Sequence, residues 1–590
     1  MACGRALVLG GCLVTNAVLG GPGAAEVART QAPEPQASSP ASSFLLSVTV
    51  AGGGSGLVTS SPAGVSCAPT CSASFSSGTR VKLTAAAGNG SFFAGWTEAC
   101  TGNAACTVTV TADESVTATF NISQTVDVLN HIIFLAQENR GLDHYFGALR
   151  GYWKANGFAD RSFDGLPQFN PVSGLAPLYG PPPTNPGCDP AYLPPDDCTV
   201  DGSSPQIASY HLLTECIENP SPSWNESHVD WNLSNPLSST ATLDGFVWTA
   251  AHDARAIKPQ YYDTNGIRAM GYYTDTDLNY YYFLASDFAT SDRWFSPVMA
   301  RTASNRDYLI AATSQGYAYP IGTDIEDQSL LTATTIFQEL EAAGVSWKIY
   351  VNPEGSLCQT DPTPQCLLTL SYVHNFQWGQ TIPSQYPQNL VPISQFFTDL
   401  QNGTLPQVAQ IEPASSASLD EHPTDFHQYK VNIQLGANYV SSLINALMVS
   451  SSWKDSAFIL TYDEFGGLYD HVAPHAAVNP DGIKPSDLLP GDICTQSNGA
   501  TCNFTHTGYR VPLIVISPYT KQHYVSHTPT DYTAILKLIE TRFQLPALTK
   551  RDATQMDMTA FFDFNSPAWM TPPTPPAQHT NGHCYLGRLP

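Results

Sequence analysis

Two short apolar runs in this sequence each end in a cluster of hard oxygen ligands. His131 to Gly147 reads HIIFLAQENRGLDHYFG. Ile132 to Leu135 is too short an apolar run for a helix and predicts a strand buried on both faces. Glu138 and Asn139 follow it at once, then Arg140, Asp143 and His144. Ala457 to Leu460 is a second run of this kind; it leads into Thr461-Tyr462-Asp463-Glu464, with Gly466, Gly467, Asp470 and His471 beyond. Ligands of open parallel sheets gather at the carboxyl ends of strands. Two such ends on one edge let Glu138, Asn139, Asp463 and Glu464 converge. Neighbouring carboxylates repel when ionised, and a divalent cation relieves that repulsion. All-oxygen donors favour a hard cation (Ca²⁺, Mg²⁺ or Mn²⁺) over zinc. A polar cap on a buried strand is the plainer reading of either stretch alone, and the repetition argues against it.

A third stretch supplies a nucleophile. In Phe295 to Tyr308, FSPVMARTASNRDY, Thr302 follows a Pro-containing turn and neighbours Arg301, Asn305 and Arg306. A hydroxyl beside a metal loses proton affinity and can attack phosphorus, and guanidinium groups hold phosphate oxygens in two-point contacts. Arg306 and Asn305 are thus the candidate substrate-binding pair. His422, in Asp420-Glu421-His422-Pro423, is a candidate acid for the leaving group, and His471 a further phosphate contact.

Composition limits the partners. With 25 Lys+Arg against 50 Asp+Glu, the formal charge of -25 excludes the basic surface that nucleic acid requires. It also disfavours strong electrostatic binding to an anionic membrane, leaving only transient surface contact. An anionic substrate then needs a local positive element, most simply a bound metal. The N-terminus reads as an export signal over residues 1–25: Arg5, an apolar run from Ala6 to Gly21, and a small-residue cleavage site at Gly23-Ala24-Ala25. The expected location is secreted or periplasmic, with a lipoprotein anchor at Cys12 as the alternative. No later stretch reaches the roughly 18 apolar residues of a membrane helix. Of 14 cysteines, ten fall in close pairs, Cys67/Cys71, Cys100/Cys106, Cys188/Cys198, Cys358/Cys366 and Cys494/Cys502. Cys3 and Cys12 fall within the export signal, which leaves Cys216 and Cys584 free to join each other. Without a CxxC pair or a suitably spaced His, disulfides in an oxidising compartment are the reading.

The positioning elements fall into two domains. Residues 26–43 are a Pro/Ala/Ser linker. Residues 44–122 alternate with period two (LSVTV, VKLTA, CTVTV, SVTATF) between Gly-rich turns, which predicts a small all-β module. Its SSPAGVSCAPTC, GTRVKLTA, FFAGW and SVTATF segments resemble the divergent internalin-type B repeat of bacterial exported proteins, which implies a spacer or surface-interaction module. From Val126, strands alternate with amphipathic helices: Thr334 to Ala343 with Gly344 as its left-handed cap, Ala437 to Val449, and Asp531 to Arg542. Continuous apolar strands alternating with helices predict an α/β fold with a central, mostly parallel sheet flanked by helices. The Pro/Gly-rich stretch from Asn156 to Asp244 reads as an irregular insertion over one end of the sheet.

The segments QENRGLDHYFG, MGYYTDTDLNYYYFLASDF, RTASNRDYL, TIFQELEAAGVSWKIY, DEHP and TYDEFGGLYDHV, in this order, resemble the bacterial phosphoesterase family of phospholipases C and acid phosphatases. The resemblance covers residues 126–565 and leaves 566–590 as a C-terminal tail. It implies an alkaline phosphatase-like fold, metal binding by Glu138, Asn139, Asp463 and Glu464, Thr302 as nucleophile, and His422 and His471 in the active site. One departure stands out: where family members carry His-Ser-Trp, this chain has Pro222-Ser223-Trp224 ahead of Asp244-Gly245-Phe246, leaving His228 or His211 as substitutes. The implied activity is phospholipase C hydrolysis of phospholipid head groups. Acid phosphatase action on small phosphomonoesters, or a surface-binding protein on an inactive scaffold, are the alternatives. Tyr272, Tyr273, Tyr280, Tyr281 and Tyr282 read either as a choline-binding aromatic surface or as core packing.

Overall fold

The computed structural model describes residues 42–589 except 68–69, 89–90, 123, 160–161, 172–179, 323–327, 428–430 and 497. The expected export signal, the Cys12 anchor and nearly all of the linker lie outside the described residues. The chain divides into two compact units, one ending at Ile122 and one beginning at Ser123.

The first unit is all-β. Four strands pair in the order Thr70–Ser76, Ser43–Ala51, Glu114–Ile122, Ser91–Glu98, and four in the order Ser66–Cys67, Gly56–Ser61, Thr79–Ala87, Cys106–Val110. Alternation decides which side chains are inside. In Cys106–Val110 the apolar residues are buried and both threonines exposed. Leu46, Val48 and Phe120 from one sheet and Val58, Val81 and Val110 from the other form one core. The Cys67–Cys71 and Cys100–Cys106 disulfides staple the loops.

The second unit is built on an eight-stranded sheet. In chain order its strands are β1 (His131–Gln137), β2 (Ala289–Ser291), β3 (Trp347–Val351), β4 (Leu390–Pro392), β5 (Val408–Ile411), β6 (Ser456–Tyr462), β7 (Leu513–Ile516) and β8 (Tyr524–Ser526). Across the sheet they run β4-β3-β5-β1-β6-β7-β2-β8. All but β7 point the same way; β7 is antiparallel to both neighbours. The sequence does not mark this reversal, because an apolar run reads the same in either direction. β6 is buried along its whole length and β1 along all but His131, as strands covered on both faces must be.

The helices that position the site are α1 (Leu142–Phe146), α2 (Trp224–Trp231), α3 (Thr302–Ala311), α4 (Ile336–Ala342), α5 (Ile433–Met448) and α6 (Ala534–Phe543). α4 starts with a capping box of Thr335 and Gln338, and Gly344 follows it at φ +69°, a left-handed position that glycine takes without cost. α5 begins a turn earlier than its periodicity suggests, because its cap lies further back: the Asn432 side chain accepts from the Gln434 and Leu435 amides. α6 begins later than expected. Thr530–Asp531 is instead a short strand beside Trp294–Phe295, and the Asp531 carboxylate is tied to Arg551 at 2.7 Å. Val440, Leu443, Ile444 and Leu447 of α5 and Ile535, Leu538 and Ile539 of α6 join the strands in one core.

All six anticipated disulfides form, including Cys216–Cys584, which spans 368 positions and fastens the C-terminal segment. The tyrosines resolve as core packing. Tyr273, Tyr280, Tyr281 and Tyr282 are buried, and only Tyr272 is partly exposed.

Candidate active site

Register explains why the two acidic strand ends meet. β1 and β6 are parallel neighbours with Gln137 opposite Tyr462, so Glu138-Asn139 and Asp463-Glu464 leave the sheet side by side. Asp463 extends the ladder through its amide to Gln137 O (3.0 Å), and its Oδ1 accepts from the Asn139 amide (2.8 Å) and its own neighbour's, Glu464 (2.8 Å). Asn139 sits at φ +59°, a left-handed backbone that an asparagine tolerates better than most residues. Gly466 lets the second loop press on the first: a Cβ there would fall 2.2 Å from Asn139 O, and its φ is +73°. The Gly466 amide in turn donates to Glu464 Oε2 at 2.6 Å.

Thr302 is not in a loop, as its sequence context suggests, but is the first residue of α3. Its Oγ1 donates to Asn139 Oδ1 at 3.2 Å, bringing the hydroxyl to the acidic strand ends. Arg306, one turn on, is buried between the acids, with Nη2 3.3 Å from Glu138 Oε1 and Nε 3.4 Å from Asp463 Oδ2. Nη2 also donates to the Ala136 carbonyl at 3.1 Å, and the Tyr372 ring covers the guanidinium at 4.6 Å.

The acids remain under-neutralised. Asp463 Oδ2 and Glu464 Oε1 are buried without a hydrogen-bond partner. Burial, countered by Arg306 and reinforced by Asp420 and Asp463, pushes the Glu138 carboxyl up to about 7. Burial and the neighbouring Asp463 carry Glu464 well above its ordinary range. Three carboxylates, two of them with an orphaned oxygen, and one amide oxygen are the donor chemistry of a hard divalent cation, so the residues fit one.

His422 borders a cleft of about 310 Å³ together with Glu138, Ser415, Asp420, Asp425 and Phe426. Its Nδ1 faces the Pro423 carbonyl, an acceptor only, so Nδ1 carries the proton and Nε2 is the nitrogen left for chemistry. The preceding Glu421 is the anchor that sequence reading missed. It is fully buried at φ +68°, and its carboxylate accepts from Tyr145 (2.7 Å), Tyr281 (2.5 Å), Tyr462 (2.8 Å) and Gln137 (3.1 Å). Arg140 Nε holds the Glu421 carbonyl at 2.7 Å and packs against His144, so these two residues brace the loop. Tyr372 was also missed. Its hydroxyl donates to Glu138 Oε1 at 3.1 Å.

Three assigned roles do not fit the geometry. Asn305 is fully buried and accepts from the Val298 amide (3.1 Å) while donating to the Ala300 carbonyl (2.6 Å); it shapes the turn ahead of Thr302 and has no group left for substrate. Arg306 likewise faces acids and carbonyls where a phosphate contact was expected. His471 stands in a separate network. Nδ1 is 2.6 Å from Asp143 Oδ2 and Nε2 3.2 Å from Asp164 Oδ1, so both ring nitrogens are committed. Burial pulls its pKa down, but the Asp143 charge and both carboxylate bonds raise it to about 9. Arg510 closes the network, with Nη2 2.6 Å from Asp470 Oδ1 and 3.0 Å from Asp143 Oδ1. Asp143, Asp470 and His471 place ligand atoms within 4.8 Å of one another, the spacing of a metal site. The Arg510 guanidinium already supplies the counter-charge there. The two substitute histidines are engaged elsewhere: His211 pairs with Asp277 at 2.8 Å, and His228, buried in α2, faces the Trp224 carbonyl at 2.6 Å.

Residues 129–546 match the phosphoesterase family, and residues 46–124 the divergent InlB B-repeat domain. Phospholipase C B of Mycobacterium tuberculosis (strain ATCC 25618 / H37Rv) is 31% identical over 464 residues, covering 74% of this chain and 78% of that protein. Phospholipase C A of the same organism is 30% identical over 480 residues, covering 78% and 81%. Non-specific phospholipase C4 of Arabidopsis thaliana is 28% identical, covering 75% and 73%. Among solved structures, murine ectonucleotide pyrophosphatase / phosphodiesterase 5 is similar at a TM-score of 0.29 and 11% identity, over 48% of this chain and 94% of that one, a likeness too slight to argue from.

Proposed function

The chain belongs to the phosphoesterase family and is a hydrolase of phosphoester bonds, and on that premise we propose that it is a phospholipase C with Thr302 as nucleophile. The observation that carries this reading is the Thr302–Asn139 hydrogen bond, which sets a hydroxyl against strand ends where two buried acid oxygens lack a hydrogen-bond partner. A divalent cation held by Glu138, Asn139, Asp463 and Glu464 would lower the proton affinity of that hydroxyl and offset phosphoryl charge. Asn139 Oδ1 orients the hydroxyl, and the amides at the start of α3 favour negative charge building up there. Thr302 Oγ1, its proton passing to solvent, forms the bond to phosphorus as the bond to the leaving alcohol breaks. Protonated His422 gives that alcohol its proton from Nε2; water then bonds to phosphorus, returning a proton to Nε2, as the bond from phosphorus to Thr302 Oγ1 breaks. Arg306 holds the acids in register, and Glu421 with its three tyrosines aims His422.

The names of the relatives support a phospholipid diester as substrate. The N-terminal apolar run, together with the disulfides, supports a secreted or periplasmic protein, with residues 44–122 as a spacer or surface-interaction module ahead of a catalytic domain over 126–565. Among the described residues no helix is long and apolar enough to cross a membrane. The test is Thr302→Ala. Turnover of phosphatidylcholine is expected to fall at least about 10³-fold with an unchanged melting temperature, and activity retained on every phosphoester tried would overturn the assignment. In the wild type, p-nitrophenyl phosphate cleaved in preference to phosphatidylcholine would favour the acid phosphatase. Purified protein that holds no metal and cleaves neither would favour an inactive scaffold.

A further inference from the structure

Resting on the reading above, we infer that a second cleft beside Glu138 is a subsite for an uncharged polyhydroxy alcohol, such as the inositol or glycerol head group of a phosphodiester. This cleft of about 240 Å³ is lined by Asn352, Thr369, Ser371, Tyr372, His374, Ser415 and Ser416, with Leu370 and Pro413 as its apolar part. It adjoins the acids directly: the Tyr372 and Ser415 hydroxyls that line it both donate to Glu138 Oε1, at 3.1 and 3.4 Å. Ser415 also lines the His422 cleft, so the two clefts share a wall at the reacting groups. A head group that stays esterified to a phosphorus held between Thr302 and Glu138 can therefore enter it.

The lining selects the chemistry. It contains no Lys or Arg to hold a second anion and no Asp or Glu to hold an ammonium group. Four of the five lining hydroxyls have their protons committed. Thr369 donates to the Cys366 carbonyl (2.7 Å), Ser371 to Glu412 Oε1 (2.6 Å), and Tyr372 and Ser415 to Glu138. These oxygens present lone pairs to the cleft. His374 adds another acceptor, since Nδ1 bonds to the Ser371 carbonyl (2.6 Å) and so carries the proton, leaving Nε2 without one in the neutral ring. An uncharged wall of hydroxyl oxygens, with the Asn352 amide and the Ser416 hydroxyl beside them, is complementary to a polyol, which both donates and accepts. A quaternary ammonium has no O–H donor, and an acyl chain has no use for the hydroxyls. The volume is below the about 300–1,000 Å³ of sites for drug-sized ligands and suits a single small ring or a three-carbon alcohol. The rim is held in shape by the Cys358–Cys366 disulfide.

The test uses the full chain and two readouts. Thr369 is exposed at the rim, so Thr369→Trp fills the cleft from its mouth without disturbing the core; His374→Ala removes one acceptor. Glycerophosphoinositol and p-nitrophenyl phosphate are compared by kcat/KM, and free myo-inositol is titrated calorimetrically. The ratio of kcat/KM for the inositol ester over that for p-nitrophenyl phosphate is expected to fall about tenfold in Thr369→Trp and about fivefold in His374→Ala, with myo-inositol binding lost in the former. An unchanged ratio with unchanged inositol binding overturns the subsite while leaving the phosphoesterase reading intact. Inositol binding that Thr369→Trp abolishes, in a protein that cleaves neither ester, supports the cleft as a polyol site and overturns the catalytic reading instead.

Discussion

Two charge clusters stand on the same sheet edge, and they are balanced in opposite ways. In Asp143, Asp164, Asp470, His471 and Arg510, every carboxylate meets a cation within 3.2 Å. In Glu138, Asp463 and Glu464, one guanidinium pairs with the first two carboxylates, and two buried oxygens have no hydrogen-bond partner. The first cluster holds loops together. The second carries an unmet demand for positive charge, which is what a cation-binding and anion-processing site requires. Proximity of ligand atoms marks the first cluster, while electrostatic balance supports the second as the proposed metal site.

Substitutions that change the balance separate them. Arg510→Met leaves Asp143 and Asp470 buried without their main counter-charge, and is expected to cost about 3–5 kcal/mol of stability by denaturant unfolding. Titrating the wild type reads the same cluster through His471. Its folded pKa, about 9, lies above its ordinary 6.5, so its contribution is complete below about pH 6.5 and is lost as pH rises through 9. That amounts to up to about 3 kcal/mol, and the decline should vanish in Asp143→Asn. The open cluster should respond the other way. Ca²⁺, Mg²⁺ or Mn²⁺ at a hundred times its Kd is expected to stabilise the protein by about 2.7 kcal/mol. Glu464→Gln should lose most of that gain, yet be no less stable than wild type in chelator, because it removes an uncompensated buried charge. A melting temperature indifferent to all three cations would remove the proposed metal site. The smallest effect is expected from Tyr281→Phe, which takes one of four donors from Glu421: about 1 kcal/mol and a lowered kcat as the His422 loop loosens.

The strand ends were legible because their signal is local: a short buried apolar run followed directly by acids. Their meeting was inferable from parallel pairing, and the in-register match of Gln137 with Tyr462 is its physical basis. The partners of His471 were not legible, since Asp164 and Arg510 come from loops far apart in sequence. Nor were the three tyrosines on Glu421, drawn from positions 145, 281 and 462. In the sequence Arg306 looks like a phosphate ligand; only its burial beneath Glu138 and Asp463 turns it into their counter-ion. Periodicity found the helices, while local capping and strand pairing moved their ends.

The reversed strand β7 has a consequence for how the family can vary. Parallel strands deliver to this edge the residues that follow them, but β7 delivers the ones that precede it, and so Arg510 arrives among acids that come from the other direction. The segment from Asp463 to Arg510 therefore departs from the edge and returns to it, with no strand of the central sheet between. Such an excursion can lengthen, shorten or change sequence while the sheet keeps its pairing. It carries its own Cys494–Cys502 staple, which confines its rearrangement. Here the fold offers diversification of the active-site surroundings at little risk to the scaffold that holds the acids.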